Sequence, residues 1–308
     1  MSIINVLSLS GGKDSTAQYL LALERLGGDF LAVFADTGNE HPAVYEYLAE
    51  LPGRTGGPAI RTVRADFSAR IEKRRVWLQS EAAERRGWTP EQVSRALEAL
   101  HPTGNPFLDM CVWKGLFPSR CRQFCTEFLK RVPIIAEVQE PLVLAGHEVW
   151  SWQGVRADES LNRSKYAESS LSPELEGLTD YRPLLTWTVQ DVVAMHHRHG
   201  ITLNPLYSQG FGRVGCFPCI NANKAELRLI AREHTWAIDK IRGWEVLVRK
   251  ASKGQLATFF HQSHTSATTP QQIDGVARWS LTRRGGKAFD LLAHMPSPTC
   301  VLAGGLCE

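Results

Sequence analysis

The sequence predicts an α/β protein built on a doubly wound, mostly parallel sheet, with a helical insertion and a helical or irregular C-terminal appendage. Three observations predict it. Short apolar runs alternate with helical patterns in the first third of the chain. The intervening helices are long enough for right-handed crossovers between parallel strands. A glycine-rich turn joins the first run to the first helix, as at the nucleotide-binding edge of such sheets.

The elements follow in order. Residues 3–9 read as a buried strand, and residues 15–25 as an amphipathic helix offering Tyr19, Leu20, Leu21 and Leu23 to the core. Residues 30–34 form a second strand, followed by a helix through Val44, Tyr45 and Leu48, and residues 59–63 a third strand. A helical insertion spans about 70–105 and carries Arg70, Lys73, Arg74, Arg75, Arg85 and Arg86; this is either a solvated face or a basic face for a polyanion. Residues 141–146 are expected as another buried strand. Thr188 is expected to cap a helix that stops at Gly200, and residues 224–250 to be helical. The expected division is a nucleotide-binding domain over 1–222 and a C-terminal appendage over 223–308.

Composition narrows the class. The 308 residues are 43% apolar and 22% charged, with a net charge of +3, too small to argue for nucleic acid. No apolar stretch approaches a membrane span, and the start lacks the apolar core of a signal peptide, so a cytoplasmic protein without membrane partners is expected. Seven cysteines in that setting are expected as thiols, catalysts or metal ligands rather than disulfides.

The stretch Ser8-Leu9-Ser10-Gly11-Gly12-Lys13-Asp14-Ser15 carries the chemistry. Unpaired N–H groups at a helix start converge on phosphate, and the helix dipole favours an anion there. Gly11 and Gly12 allow close approach, Lys13 supplies a mobile charge, and Ser10 and Ser15 supply hydroxyls. Asp14 makes sense beside phosphate if it faces Mg²⁺. The spacing is not that of G-x-x-x-x-G-K-[ST].

"SGGKDS" after an N-terminal strand resembles the pyrophosphatase loop (PP-loop) of the adenine-nucleotide alpha-hydrolase-like superfamily, whose members hold ATP and usually cleave between its α- and β-phosphates. "FADTGNEHPAVYEYL" resembles the phosphoadenosine phosphosulfate (PAPS) reductase family, and implies nucleotide contacts from Asp36, Thr37 and Gly38 beside Glu40. "GVRADESLNR" resembles that family's downstream anion loop, which implies Arg156 and Arg163 on phosphate or sulfate. The resemblance runs over roughly residues 2–222.

The cysteines extend it. Cys216-Phe217-Pro218-Cys219 has a spacing that serves one metal centre or a redox pair. Cys125, in "GLFPSRCRQFCTEFLKRVP", sits where iron–sulfur adenylylsulfate reductases carry the second of two adjacent cysteines. The resemblance therefore implies a [4Fe–4S] cluster, with zinc or no metal as alternatives. Phe124 replaces the first of that pair, leaving Cys111, Cys121, Cys300 and Cys307 as candidates for the fourth ligand. Cys111 is favoured because "C-x-x-K-G" ahead of "F-P-S" resembles phage- and prophage-type members. Cys121 would share a face with Cys125 if the segment is helical. Cys307, near the end, is a candidate nucleophile or persulfide carrier, with Cys300 to resolve it.

Two activities follow from the resemblance. One is an ATP-consuming enzyme that adenylylates an acceptor, small or nucleic acid, releases pyrophosphate, and replaces AMP by sulfur from a donor. The other is a sulfonucleotide reductase that releases sulfite with a thioredoxin-like reductant. The intact loop, with Lys13 and Asp14 as catalytic residues, favours ATP and resembles the sulfurtransferases of DNA phosphorothioation. A nucleotide-sensing subunit without turnover is the non-enzyme alternative.

Overall fold

The computed structural model describes residues 3–260 and 272–283. Six strands form one sheet: β1 (Ile3–Leu9), β2 (Leu31–Ala35), β3 (Ile60–Val63), β4 (Glu148–Trp152), β5 (Ser169–Leu171) and β6 (Leu178–Tyr181), in the order β3-β2-β1-β4-β6-β5. All neighbours are parallel except the edge pair β5–β6. The chain winds from β1 out to β3, then returns to start the other half at β4. β1 and β4 therefore flank the switch point, where open α/β sheets leave a crevice at the carboxyl ends of their strands. The doubly wound sheet expected from the sequence is present.

Alternation along the strands divides the core. Leu7 and Leu9 face α1 (Lys13–Leu26) and α2 (Pro42–Thr55) through Tyr19, Leu20, Val44 and Leu48. Val6 faces the other side with Val33, Val63 and Val149. That second face is covered by one helical run made of α7 (Phe124–Thr126), α8 (Val132–Ile134) and α9 (Glu140–Leu144), joined by π-helical turns at Glu127–Arg131 and Ile135–Gln139. Each π turn contains the residue four before a proline, Leu129 before Pro133 and Glu137 before Pro141. A proline ring would clash with that carbonyl in a regular helix, and widening the turn relieves the clash.

The strand expected at residues 141–146 is thus a helix end, and the next strand is β4. A short apolar run fits either period; here Leu142 and Val143 pack on the sheet while Leu144 is exposed. The other helices agree with expectation. α10 (Val189–Arg198) carries a reciprocal capping box between Thr188 and Asp191, and α11 (Lys224–Glu233) and α12 (Thr235–Ala251) divide at His234.

The insertion comprises α3 (Ser68–Leu78), α4 (Glu81–Arg85) and α5 (Pro90–Ala99), followed by α6 (Pro106–Lys114). Three of its cations, Arg70, Arg74 and Arg75, are engaged within the protein. Arg75 donates to the carbonyls of Leu97 and Leu100 at 2.7 and 3.0 Å, capping α5. Arg95 does the same for α12 through Ser252 O. Arg74 is half-buried between the rings of Trp77 and Trp88, and Arg70 lies over Trp113 and Phe128. These arginines therefore serve helix termini and aromatic packing, while Lys73, Arg85 and Arg86 are exposed.

Gly57 is a close approach in this layer. A Cβ there would stand 2.3 Å from the Tyr19 hydroxyl, which donates to Pro58 O at 2.8 Å. Gly57→Ala is expected to lower stability by about 1–3 kcal/mol through overpacking, read as a fall in the urea midpoint with an unchanged slope. An unchanged midpoint would contradict this packing.

Candidate functional site

The glycine turn leaves β1 at Ser10. Gly11 has φ +71, and an added Cβ would meet Val44 Cγ1 at 3.0 Å, so this position calls for glycine on both counts. Gly12 is the N-cap of α1 without a side-chain cap. Ser15 Oγ replaces one, accepting the Ser10 N–H at 3.2 Å and donating to Gly12 O at 3.0 Å. Two residues from the second half of the chain pin the turn. Tyr207 Oη accepts the Lys13 N–H at 3.0 Å, and His196 Nε2 lies 2.9 Å from Lys13 O. Neither residue stood out in the sequence, because a tyrosine in a loop and a histidine on a helix carry no local signal of so distant a contact.

The charged residues of the two loops meet each other. Asp14 bonds Lys13 Nζ at 2.9 Å and Arg156 Nε at 2.6 Å, and Arg156 also bonds Asp158 at 2.6 Å. Arg156 is 3% exposed. Burial works to raise the Asp14 carboxyl, but Lys13 and Arg156 outweigh it and hold it below the ordinary range. Arg156 thus positions the turn from across the β1–β4 crevice. Gly154 allows this approach, since a Cβ there would meet Ser15 backbone atoms at 3.3 Å.

Asp36 accepts from Gly38 N and Tyr45 Oη, both at 2.8 Å. Thr37 Oγ1 donates to Glu40 Oε1 at 2.7 Å, and Gly38, with φ +74, fits against Asn105. Asp14, expected to face Mg²⁺, and Asp36 are therefore both held by protein donors. Among the described residues, no group of three or more His, Cys, Asp or Glu side chains is arranged to hold a metal ion.

A cavity of about 760 Å³ opens at the carboxyl edge of the sheet. Ser8 and Ser10 line it from β1, Glu40 from the turn after β2, and Gly154 and Arg163 from the segment after β4. Lys130, Arg131, Lys165 and Arg182 complete a wall whose five cations outnumber the acids Glu40, Glu174 and Asp180. That balance suits an anionic ligand. Arg163 also pairs with Glu159.

A second cavity of about 190 Å³ adjoins it, and the two share Ser10, Lys130 and Gly215. Cys216 and Cys219 line the smaller one. Cys216 Sγ lies 3.8 Å from Glu40 Oε1 and 3.7 Å from Thr37 Oγ1, and burial pushes its thiol up to about 12. Lys130, in the first of the two π turns, acts against that burial at both Cys216 and Cys125. Cys125 interacts electrostatically with Cys219 and with the fully buried Cys111. The structure thus gathers Cys111, Cys125, Cys216 and Cys219 in one region. Their soft sulfur donors suit iron or zinc in kind, but among the described residues they do not converge as a metal site. Cys121 is not one helical turn from Cys125. Residues Ser119 and Arg122 close a tight turn by mutual backbone bonds, the helix begins at Phe124, and Cys121 is exposed. Cys300 and Cys307 lie outside the described residues.

Residues 4–222 match the phosphoadenosine phosphosulfate reductase domain. The chain belongs to that family. It is 42% identical to the uncharacterised 37.8 kDa protein of the gpa 5′ region of Escherichia phage 186, over 100% of this chain and 97% of that one. An adenosine 5′-phosphosulfate reductase from Burkholderia cepacia is 36% identical over 27% of this chain and 33% of its own length. The PAPS reductase structure from Candida auris aligns with a TM-score of 0.42 at 14% identity, over 71% of this chain and 83% of that one. These relatives do not carry the resemblance to phosphorothioation enzymes. The described residues include no helix long and apolar enough to cross a membrane.

Two outcomes are expected. Arg156→Met should cost about 3–5 kcal/mol by leaving buried carboxylate without its partner, and adding Asp14→Asn should recover part of that loss in a double-mutant cycle. Additive losses would disprove the pairing.

The second concerns pH. His41 caps α2, its Nδ1 accepting the Ala43 N–H at 3.1 Å, and burial, then His234 and Lys240, lower its pKa to about 4. The unfolded chain binds this proton below about 6.5 and the folded one resists it until about 4, so stability should fall across that window as pH drops. His41→Asn keeps a capping acceptor and should flatten the fall, as followed by thermal midpoints between pH 7 and 4.

Proposed function

We propose that this chain is an ATP-binding PP-loop enzyme that adenylylates an acceptor, releases pyrophosphate, and then replaces AMP by sulfur. One observation carries the reading: the cation-rich cavity beside the glycine turn shares Ser10, Lys130 and Gly215 with the thiol-lined cavity of Cys216 and Cys219. A nucleotide held in the first would present its reacting end to the thiols in the second. Family membership supports an adenine nucleotide as ligand.

In this reading Ser8, Ser10, Gly11, Gly12 and Ser15 cradle the phosphates at the start of α1. Lys13 turns from Asp14 to the charge that develops on the leaving pyrophosphate. The acceptor oxygen attacks the α-phosphorus, and the bond to the β-phosphate oxygen breaks. A sulfur nucleophile supplied by a donor then forms a bond to the activated acceptor atom, and AMP leaves with the electron pair of the broken bond. Arg163 and its cationic neighbours hold the far end of the nucleotide. Mg²⁺ would supply further neutralisation of the phosphates. A role for Cys307 as nucleophile or persulfide carrier is part of the proposal. A cytoplasmic site of action and the division at residue 222 are proposed with it.

The same junction serves a second reading favoured by the family match, in which a sulfated adenine nucleotide is reduced to sulfite with a thioredoxin-like reductant. Anaerobic protein supplied with ATP, adenylyl sulfate or PAPS separately tells the two apart. AMP and pyrophosphate from ATP are the expected products, and Lys13→Ala should reduce their formation roughly 100-fold or more. Sulfite from a sulfated nucleotide, with ATP untouched, would overturn the adenylylation reading.

A further inference from the structure

The hairpin that carries Cys216 and Cys219 is held from both sides. On one side is the turn after β2. Phe217 N–H donates to Asn39 O, Asn39 Nδ2 donates to Pro218 O at 3.0 Å, and Glu40 and Cys216 form an isolated antiparallel bridge. On the other side is α12, beyond the residues that match the family domain. Lys240 Nζ donates to Phe217 O at 2.8 Å and to Asn39 Oδ1 at 2.8 Å, and so ties the hairpin and the turn together at one point. Its ammonium lies 5.3 Å from the Trp236 ring centre and 5.0 Å from that of Trp244. Trp236 in turn stacks on Phe217 at 5.7 Å. Asn39 is 0% exposed.

This is a costly arrangement to use for packing alone. A largely buried ammonium loses hydration, and the two oxygens and two indole faces only offset that loss. Apolar residues would fill the same volume at less expense. What the ammonium adds is direction: two short bonds fix the carbonyl between the two cysteines relative to the turn that bears Glu40. The Asn39 amide is committed at both ends, its oxygen to Lys240 and its nitrogen to Pro218.

We propose that Lys240 is a positioning residue for the Cys216–Cys219 thiol pair, and that α12 is a wall of the sulfur-handling site. The proposal rests on the reading of these two thiols as the groups that handle sulfur. It places part of the active machinery outside the family-matched region: α11 contributes Glu226 and Ile230 to the thiol cavity, and α12 contributes the pin. The turn that follows the second strand, the cysteine hairpin and the C-terminal helices then move as one unit.

The test measures thiol reactivity and needs no nucleotide turnover. Lys240→Met keeps the apolar stem against Trp236 and Trp244 and removes the donors, and Lys240→Arg keeps donors. Alkylation of each cysteine by iodoacetamide is followed by mass spectrometry on full-length protein, with exposed Cys121 as internal standard. In Lys240→Met, Cys216 and Cys219 should label roughly tenfold faster or more, the factor matching about 1.4 kcal/mol of lost hydrogen bonding. Cys121 and Cys125 should keep their rates, and Lys240→Arg should restore most of the protection. Unchanged rates at Cys216 and Cys219, or an equal rise at Cys125, would overturn the proposal. Lys240→Leu, which also removes the donors, is read by the same rates if Lys240→Met does not fold, and unchanged rates there would likewise overturn the proposal. Failure of the wild-type protein to consume ATP would count against the proposed reaction and leave these rates as they are.

Discussion

The carboxylate of Asp14 is the point on which the carboxyl edge of the sheet depends. It stands between Lys13 of its own turn and Arg156 of the segment after β4, with bonds of 2.9 and 2.6 Å. Those segments belong to opposite halves of a doubly wound sheet, and the crevice between them would otherwise be free to open. A buried ion pair is a poor source of net stability but a strong constraint on geometry, because neither charge tolerates losing its partner. Gln18 adds to the closure through Trp152 O at 3.1 Å, and Gly154 lets the backbones come together. Lys13 is therefore held against Asp14.

The second constraint is the long helical run on the opposite face. Two prolines placed eight residues apart widen the helix twice, and the first widened turn carries Lys130 into the space where both cavities meet. π-turns are uncommon and favour functional positions. Here the packing of Ile134 and Val138 on the sheet keeps the run in place while the turn presents a cation to the cysteines. The cysteine region and the glycine turn thus share a wall at Ser10 and Lys130.

The family resemblance was legible because its motifs are local: a strand, a turn and a helix start occupy consecutive residues. The roles of individual residues were less so. Arg156 reads as an anion grip from its loop, yet a carboxylate already in the protein takes its guanidinium. The cations of the insertion read as either a solvated or a basic face, yet Arg75 spends donors on helix carbonyls and Arg74 lies between two indole rings. In both cases the composition of a segment says how many charges it holds and nothing about which partners lie across the fold. Residues 141–146 failed for another reason, since an apolar run that short satisfies the period of either a strand or a helix.

The sequence by itself determined the doubly wound sheet, the glycine turn that follows its first strand, the Thr188 cap and the C-x-x-C spacing of Cys216 and Cys219. These depend on backbone conformation and on periodicity, which act between near neighbours along the chain. Only the tertiary structure decided that Tyr207 and His196 pin the turn, that Asp14 and Arg156 pair, and that Lys240 reaches the cysteine hairpin. Each of those contacts joins residues far apart in the chain, and a side chain's partner at such a distance is set by how helices pack on the sheet rather than by any local pattern.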